Sequence, residues 1–395
     1  MAKRFQRKGA PAPFSHPKLE VEVLNLAVGG AGIARHEGMV IFIPMAAPGD
    51  RVLVQLTKKK KNYAEAEIIE ILKPGPSRRT PPCPVASVCG GCNWQHITED
   101  EQRQQKQQIV EQTLQKFLRG IDFEMLPLVS SSQSLRYRNR IQPKAFKNLF
   151  GFFGRQSHRI VDIQDCLITE ELITKKFTEI RQWVAPQAQE NLLKLEVFLS
   201  DDLSKVQYNL INDDDDTIGF SQVNRFQNED LIETALNWSS EDDYDTIFDL
   251  YAGSGNFTFP LAAQFKQAKK IQAIELNPKL VLKGLNSSSD KRIHFFESDV
   301  EAYITKALIS TNDLVVLDPP RAGSSLETMK KLAASAPKKI IYISCHPVSL
   351  ARDLQWLLEE SQRLGTGLKL TRVQAFEMFP QTDHVETIAE LKVDS

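Results

Sequence analysis

The 395-residue sequence predicts a multidomain α/β protein: an OB-like β-barrel, then a central α+β segment holding most of the cysteines, then a C-terminal Rossmann-like domain. Three observations carry this reading. Short β-rich runs broken by Gly, Pro and Asp turns fill residues 18–73. From about residue 217, strand-like runs alternate with helix-length segments, which implies right-handed crossovers and a parallel sheet. Four of the five cysteines fall between these two regions.

Residues 1–17 are polar with three prolines and are expected to be a disordered arm. The stretch from Leu19 to Leu72 has the pattern of a small antiparallel barrel. Four prolines between Pro74 and Pro82 mark its end, so the central domain is assigned to 74–216 and the last domain to 217–395. Thr98 and Glu101 form a capping box. Ile109, Val110, Leu114, Phe117 and Leu118 follow at helical spacing, giving a helix over 100–118 that is expected to pack on the last domain. Residues 135–216 read as strands plus one helix around 168–184.

Apolar content of 42% with 25% charged residues is ordinary for a globular chain. No apolar run approaches the roughly 18 residues of a membrane span, and the basic N-terminus lacks an apolar core, so neither a span nor a secretory signal is expected. A cytoplasmic location with reduced thiols is the expectation, and five cysteines then point to metal or catalysis. The net charge of −1 is unevenly spread. Residues 1–61 hold eleven Lys or Arg against four Asp or Glu, while acidic clusters lie at 212–217 and 241–245. A basic N-terminal region suits a polyanion such as RNA, although one lysine run alone reads equally well as solvated surface.

"FDLYAGSGNFTFPLA" (248–262) reads as strand, glycine turn and helix start. Gly253 and Gly255 let backbone approach a ligand closely. Glu275 ends the next strand twenty residues after Gly255, where a carboxylate can accept from ribose hydroxyls. Asp299 follows the third strand and can accept from an adenine amine. Thr258 stands where a dinucleotide fingerprint has Gly or Ala, which disfavours NAD. "LDPPR" (317–321) closes the fourth strand with a rigid turn at the ligand-binding edge. Arg321 replaces the aromatic residue that methyltransferases acting on amino groups carry after Pro-Pro, which argues against such a target.

Cys83, Cys89 and Cys92 are spaced C-x5-C-x2-C, and Cys166 follows 74 residues after Cys92. Four thiolates are a full set for one 4Fe-4S cluster or one structural zinc. Subtracting them leaves Cys345, at the end of the fifth strand in "IYISCHPVSL". On position alone it is either core packing or a nucleophile.

With "FSQVN" (220–224), "LYAGSGNF" (250–257), "DPPR" (318–321), "SCHP" (344–347) and "FPQTDHVE" (379–386), the chain resembles the RNA (uracil-5-)-methyltransferases. The likeness is nearest to bacterial 23S rRNA enzymes carrying a TRAM domain and an iron–sulfur cluster. It runs from Leu19 almost to the end, and it makes residues 19–72 a TRAM barrel. It implies S-adenosylmethionine as methyl donor and a 4Fe-4S cluster on Cys83, Cys89, Cys92 and Cys166. It also implies a catalytic pair, Cys345 as nucleophile and Glu386 as base. Gln222, Tyr251, Asn256, Glu275, Asp299 and Asp318 would line the cofactor and uracil sites. The family commonly has Asn where His346 stands and His where Gln381 stands.

The implied partner is RNA, 23S rRNA in the first instance, met by a monomer as a flipped uridine in a loop. Carbon 5 of uracil is a poor nucleophile until a thiolate adds at carbon 6. Arg321 is expected to lower the thiol pKa or stabilise an oxyanion, with a structural salt bridge as the alternative, and His384 to orient Glu386, with a packed surface histidine as the alternative. The rival functions are the same reaction on tRNA and a cluster-bearing RNA-binding factor without turnover.

Overall fold

The computed structural model describes residues 17–200, 202–211 and 222–393. Apart from Pro17, the arm assigned to residues 1–17 lies outside these, as do the acidic run at 212–217 and Phe220 and Ser221 of "FSQVN". The chain divides into two compact units, one of residues up to Thr80 with His96–Thr98, the other of Pro81–Gln95 with the chain from Glu99 onward.

The first unit is a closed five-stranded barrel of β1 (Lys18–Leu26), β2 (Gly32–His36), β3 (Met39–Ile43), β4 (Arg51–Lys59) and β5 (Tyr63–Lys73), in the order β1-β2-β3-β5-β4. Period-two alternation turns Val21, Val23, Val52, Val54 and Leu56 inward. The barrel departs from the expected antiparallel pattern at one seam, because β3 and β5 pair in parallel. β4 leaves the meander to close on β1, so β5 must return between β3 and β4. An odd number of strands closes only with such a pair.

One buried carboxylate ties off this unit. Asp50 accepts from the amides of Ala47 (2.7 Å) and Gly75 (2.8 Å) and from Arg78 Nη2 (2.6 Å). Gly75 is required there, since a Cβ would lie 2.2 Å from the Pro48 carbonyl oxygen. Burial pushes the Asp50 carboxyl up, but Arg78 and the two amides outweigh it and hold the group below its usual value.

The second unit contains two sheets. After the cysteine loop come α1 (Glu99–Phe117) and β6 (Glu124–Val129). β7 (Arg140–Ile141), β8 (Lys144–Phe146), β9 (Leu149–Phe153) and β10 (Ile160–Asp162) then build a sheet with β11 (Leu193–Leu199) and β12 (Val206–Ile211). The single helix expected around 168–184 is two, α2 (Glu171–Thr174) and α3 (Phe177–Val184). Their buried residues Ile173, Phe177, Ile180 and Val184 face one core.

The larger sheet is fed by α4 (Arg225–Ser239), β13 (Thr246–Leu250), α5 (Thr258–Gln264), β14 (Lys270–Glu275), α6 (Pro278–Asn286), β15 (Ile293–Glu297) and α7 (Val300–Ile304). It continues with β16 (Leu314–Leu317), α8 (Leu326–Ser335), β17 (Lys339–Ser344), α9 (Pro347–Leu364), β18 (Leu368–Phe376) and β19 (Glu386–Val393). The strand order is β15-β14-β13-β16-β17-β19-β18-β6. The first five are parallel, as expected, and every residue of β16 and β17 is buried under helices on both faces. The chain reverses direction of travel between β13 and β16, which opens a crevice at the strands' carboxyl ends.

Two additions were not legible beforehand. β19 runs antiparallel between β17 and β18, and β6, from far upstream, pairs in parallel with β18 as the edge strand. Val110, Leu114 and Leu118 of the predicted helical stripe are buried in one core with Leu354 and Leu357 of α9.

Asp50→Ala should cost about 3 kcal/mol by orphaning Arg78 and two amides, read as an earlier urea transition of the barrel. Because the folded carboxyl titrates below its unfolded value, its contribution is present above that value and should fade as pH falls below about 4.

Candidate functional site

β13 ends at Leu250, and the chain turns sharply through Tyr251 (φ +64), Gly253 (φ +58) and Gly255 (φ +104) before α5. At Gly255 a Cβ would lie 2.5 Å from the Phe259 ring, so the turn is closed to larger residues. Glu275, at the tip of β14, accepts from the amides of Gly253 (3.0 Å) and Asn277 (2.8 Å). The predicted ribose acceptor thus also fixes the glycine turn. Asp299 caps α7 by accepting from Ala302 N at 3.0 Å.

Two adjoining cavities follow this edge. One, of about 340 Å³, is lined by Gln222, Tyr251, the 253–256 turn and Asp318. The other, of about 630 Å³, shares Tyr251, Gly253 and Asp318 and adds Glu275, Asp299, Arg321, Cys345 and Glu386. Every residue expected to bind cofactor or react therefore lines one cavity or the other. Tyr251 bonds Ser324 Oγ at 3.0 Å, and Asn256 exchanges two amide bonds with Asn228 at 2.9 and 3.0 Å. Both Gln222 side-chain atoms are buried without a hydrogen-bond partner among the described residues.

Cys345 and Glu386 meet because of the antiparallel strand. Ser344, the last residue of β17, pairs with Thr387, so the first residue of β19 sits beside Cys345. A purely parallel sheet would have sent residue 386 to the far edge. Pro319 and Pro320 carry the chain from Asp318 to Arg321 along the same cavity.

The charges here oppose one another. Burial, then Glu386 and Asp318, push the Cys345 thiol up to about 12. Arg321 pulls the other way but is outweighed, so its expected activation of the thiol is not dominant without substrate. Burial and then Asp249 raise Asp318 to about 7, though it stays partly open to the cavity. Burial and Asp318 raise Glu386 well above the usual carboxylate range. Glu386 Oε1 has no hydrogen-bond partner among the described residues. His384 does not orient it, packing instead edge-on to Phe379 at 5.7 Å.

His346 has a plain local task. Its Nδ1 accepts from Ser349 N at 3.3 Å, capping α9, with Pro347 in the first helical turn. Burial, then Arg321 and Arg352, lower its pKa, which keeps that nitrogen free to accept.

Cys83, Cys89, Cys92 and Cys166 line one further cavity of about 290 Å³. Gly91 N points at Cys89 Sγ (3.4 Å), and Arg155 Nη2 donates to the carbonyls of Ala86 (2.8 Å) and Cys92 (3.2 Å). Among the described residues no three His, Cys, Asp or Glu side chains converge on a single-ion site.

Residues 18–69 match the TRAM domain, and residues 304–393 match the tRNA (Uracil-5-)-methyltransferase family. An uncharacterized RNA methyltransferase of Bdellovibrio bacteriovorus is 56% identical over the whole of both chains. The 23S rRNA (uracil(1939)-C(5))-methyltransferase RlmD of Shewanella sediminis is 30% identical, again covering all of each chain. The chain belongs to the RNA (uracil-5-)-methyltransferase family. Such enzymes transfer a methyl group from S-adenosylmethionine to RNA.

The crystal structure of Pyrococcus abyssi tRNA (uracil-54, C5)-methyltransferase with S-adenosyl-L-homocysteine shares the fold of this RNA (uracil-5-)-methyltransferase, with a TM-score of 0.72 at 20% identity. That match covers 94% of this chain and all of the other. The family's Asn at position 346 is itself a favoured helix cap, so His346 keeps the bond with a different side chain. Gln381, where the family commonly has His, is fully buried at φ +69, accepting from Trp94 N (3.1 Å) and donating its own amide to Gln102 (2.9 Å). Asn93, Gln102 and Lys106, which hold this segment, had no local signal, since their partners lie more than 270 residues away.

Ionising Asp318 opposes folding, because its folded pKa is raised above the unfolded one; stability is lost as pH rises from about 4 to about 7. Asp318→Asn should therefore melt above wild type at pH 8, by roughly 2–4 °C per kcal/mol relieved, with the gap closing at pH 4.5. A calorimetric scan at both pH values tests this.

Proposed function

We propose that the protein methylates carbon 5 of one uridine in 23S rRNA through a covalent Cys345–uracil adduct, with Glu386 as the base. The observation that carries the reading is the single cavity that Cys345, Glu386, Asp318, Arg321, Glu275 and Asp299 line together. The Cys345 thiol first gives up its proton to solvent through the open cavity, and the thiolate Sγ then bonds to carbon 6. The ring's electron pair moves to carbon 5 and oxygen 4 as an enolate. Carbon 5 displaces the methyl from the sulfonium sulfur of S-adenosylmethionine, leaving S-adenosylhomocysteine. Glu386 removes the proton from carbon 5, the carbon 5–carbon 6 double bond reforms, and the carbon–sulfur bond breaks to return the thiolate. Asp318 accepts from uracil N3–H, and Arg321 faces the developing oxyanion.

Glu275 and Asp299 suit the donor's ribose and adenine, beside the close-approach turn at Gly253 and Gly255. Gln222, whose side-chain donor and acceptor are buried at the cavity wall without partners among the described residues, suits a polar ligand. A flipped base meets the buried thiol most readily from a loop, with the Lys58–Lys61 run of the TRAM barrel adding phosphate contacts. The relatives named for uracil 1939 make rRNA the first substrate to test. The tRNA alternative draws on the family name matched at 304–393.

The four cysteines fit a 4Fe-4S cluster better than zinc. All four line one cavity of about 290 Å³, a full thiolate set for such a cluster, and the family resemblance favours it over zinc. Bound there, the cluster supplies a cross-link between the 83–92 loop and Cys166. Glycines at 90 and 91 keep that loop tight, and a Cβ on Gly90 would meet Phe153 O at 2.9 Å.

Nucleoside mass spectrometry of rRNA and tRNA from a deletion strain should lose one 5-methyluridine, in 23S rRNA; retention of every such site would sink the function, and loss in tRNA alone would reassign the substrate. Cys345→Ala should lower turnover at least about 10⁴-fold, while Glu386→Gln should accumulate RNA covalently bound through Cys345 on denaturing gels. Anaerobically purified protein should be brown and contain about four irons. A colourless preparation carrying zinc refutes the cluster.

A further inference from the structure

Asn93 directly follows the metal-loop residue Cys92, and its side chain exchanges two bonds with Asp383. Nδ2 donates to Asp383 Oδ1 at 2.7 Å, and Oδ1 accepts from Asp383 N at 3.0 Å. The next residue, Trp94, is fully buried and donates its amide to Gln381 O at 3.1 Å. Asp383 lies three positions before Glu386, at the point where the chain enters β19.

The preceding segment is fixed one carbonyl at a time. Asn224 Nδ2 donates to Met378 O (3.1 Å), Lys106 Nζ to Phe379 O (3.0 Å) and the Tyr137 hydroxyl to Pro380 O (3.0 Å). A path through the left-handed conformation at Gln381 needs such support, because a non-glycine residue there costs about 1 kcal/mol or more. Glu386 Oε1 has no hydrogen-bond partner among the described residues, and His384 packs against Phe379. Sheet pairing holds its strand side, with Glu386 opposite Phe376, while its approach is set by the backbone that leads into it, and Asn93 grips that incoming backbone nearest the carboxylate.

We propose that Asn93 is a positioning residue for Glu386, acting through Asp383, so that the cysteine loop sets where the general base stands. This rests on the reading of Glu386 as the base that removes the carbon-5 proton. Displacement of a reacting group by about 1 Å can cost about 100-fold in rate, and the affected step is the one after methyl transfer. A misplaced base leaves the methylated RNA attached to Cys345.

The test compares holoenzyme variants in single turnover, scoring the fraction of RNA linked to Cys345 on denaturing gels together with kcat and KM. Asn93→Asp sets two carboxylates against each other. Its kcat should fall about 10- to 100-fold, KM for RNA should stay within about twofold, and linked RNA should accumulate. Adding Asp383→Asn rebuilds the pair in mirror image and should return both readouts towards wild type. A general loss of folded protein would instead lower turnover and linked RNA together, with no rescue.

A folded Asn93→Asp protein with wild-type levels of linked RNA overturns the proposal, provided Glu386→Gln accumulates it. Should Asn93→Asp not fold, Asp383→Ala is read in the same way, and a wild-type level there is equally fatal. Absence of linked RNA in Glu386→Gln removes the base assignment itself, and the positioning role with it.

Discussion

Asp249, Asp318, Glu386 and Cys345 crowd the carboxyl edge of one parallel sheet, and buried acids so close together cannot all ionise at once. Burial raises Asp249 to about 7, even though the Thr258 hydroxyl and amide both favour its charged form. Asp249 in turn raises Asp318, which raises Glu386, and these last two hold Cys345 protonated. The resting edge is therefore a store of protons. The proposed reaction needs a thiolate early and a carboxylate late, so something positive must arrive for either to form. A sulfonium donor brings that charge with it.

The fold serves this edge by bringing distant segments to it. A parallel α/β sheet delivers Gly253, Glu275, Asp318 and Cys345 from successive strand tips. Glu386 arrives by a different route, at the start of a strand that runs the other way. The residues just before it are accordingly held by side chains from α1, the cysteine loop and residue 137, and those from Glu386 onward by the sheet. The two groups of the proposed reaction thus differ in support: a strand end for Cys345, a braced loop leading into a strand for Glu386.

Much of this was legible because it is local. The five parallel strands follow from apolar runs at regular intervals, and the cofactor edge from acids and glycines at strand ends. The four cysteines share a cavity as their spacing suggested. What escaped depends on pairings with no sequence period. The parallel seam between β3 and β5 follows from barrel closure, and β6 joins its sheet more than 240 residues upstream of its partner strand. His346 looked anomalous as a substitution for Asn, yet its backbone role was invisible until the helix start was known. Arg321 lowers the thiol pKa as expected but is outweighed, and His384 takes the packed alternative, because the balance in each case depends on surroundings that no short motif contains.

The edge strand β6 carries a consequence for how such a protein can be divided. It covers the open side of β18, while Val110 and Leu114 of α1 fill the core beneath α9. A fragment beginning at residue 217 would expose a bare strand edge and leave a hole in its own interior. The methyltransferase part is therefore not a detachable cassette. The chain that leads out of the cysteine loop is also the chain that completes the sheet, so the two can be inherited, lost or transplanted only together.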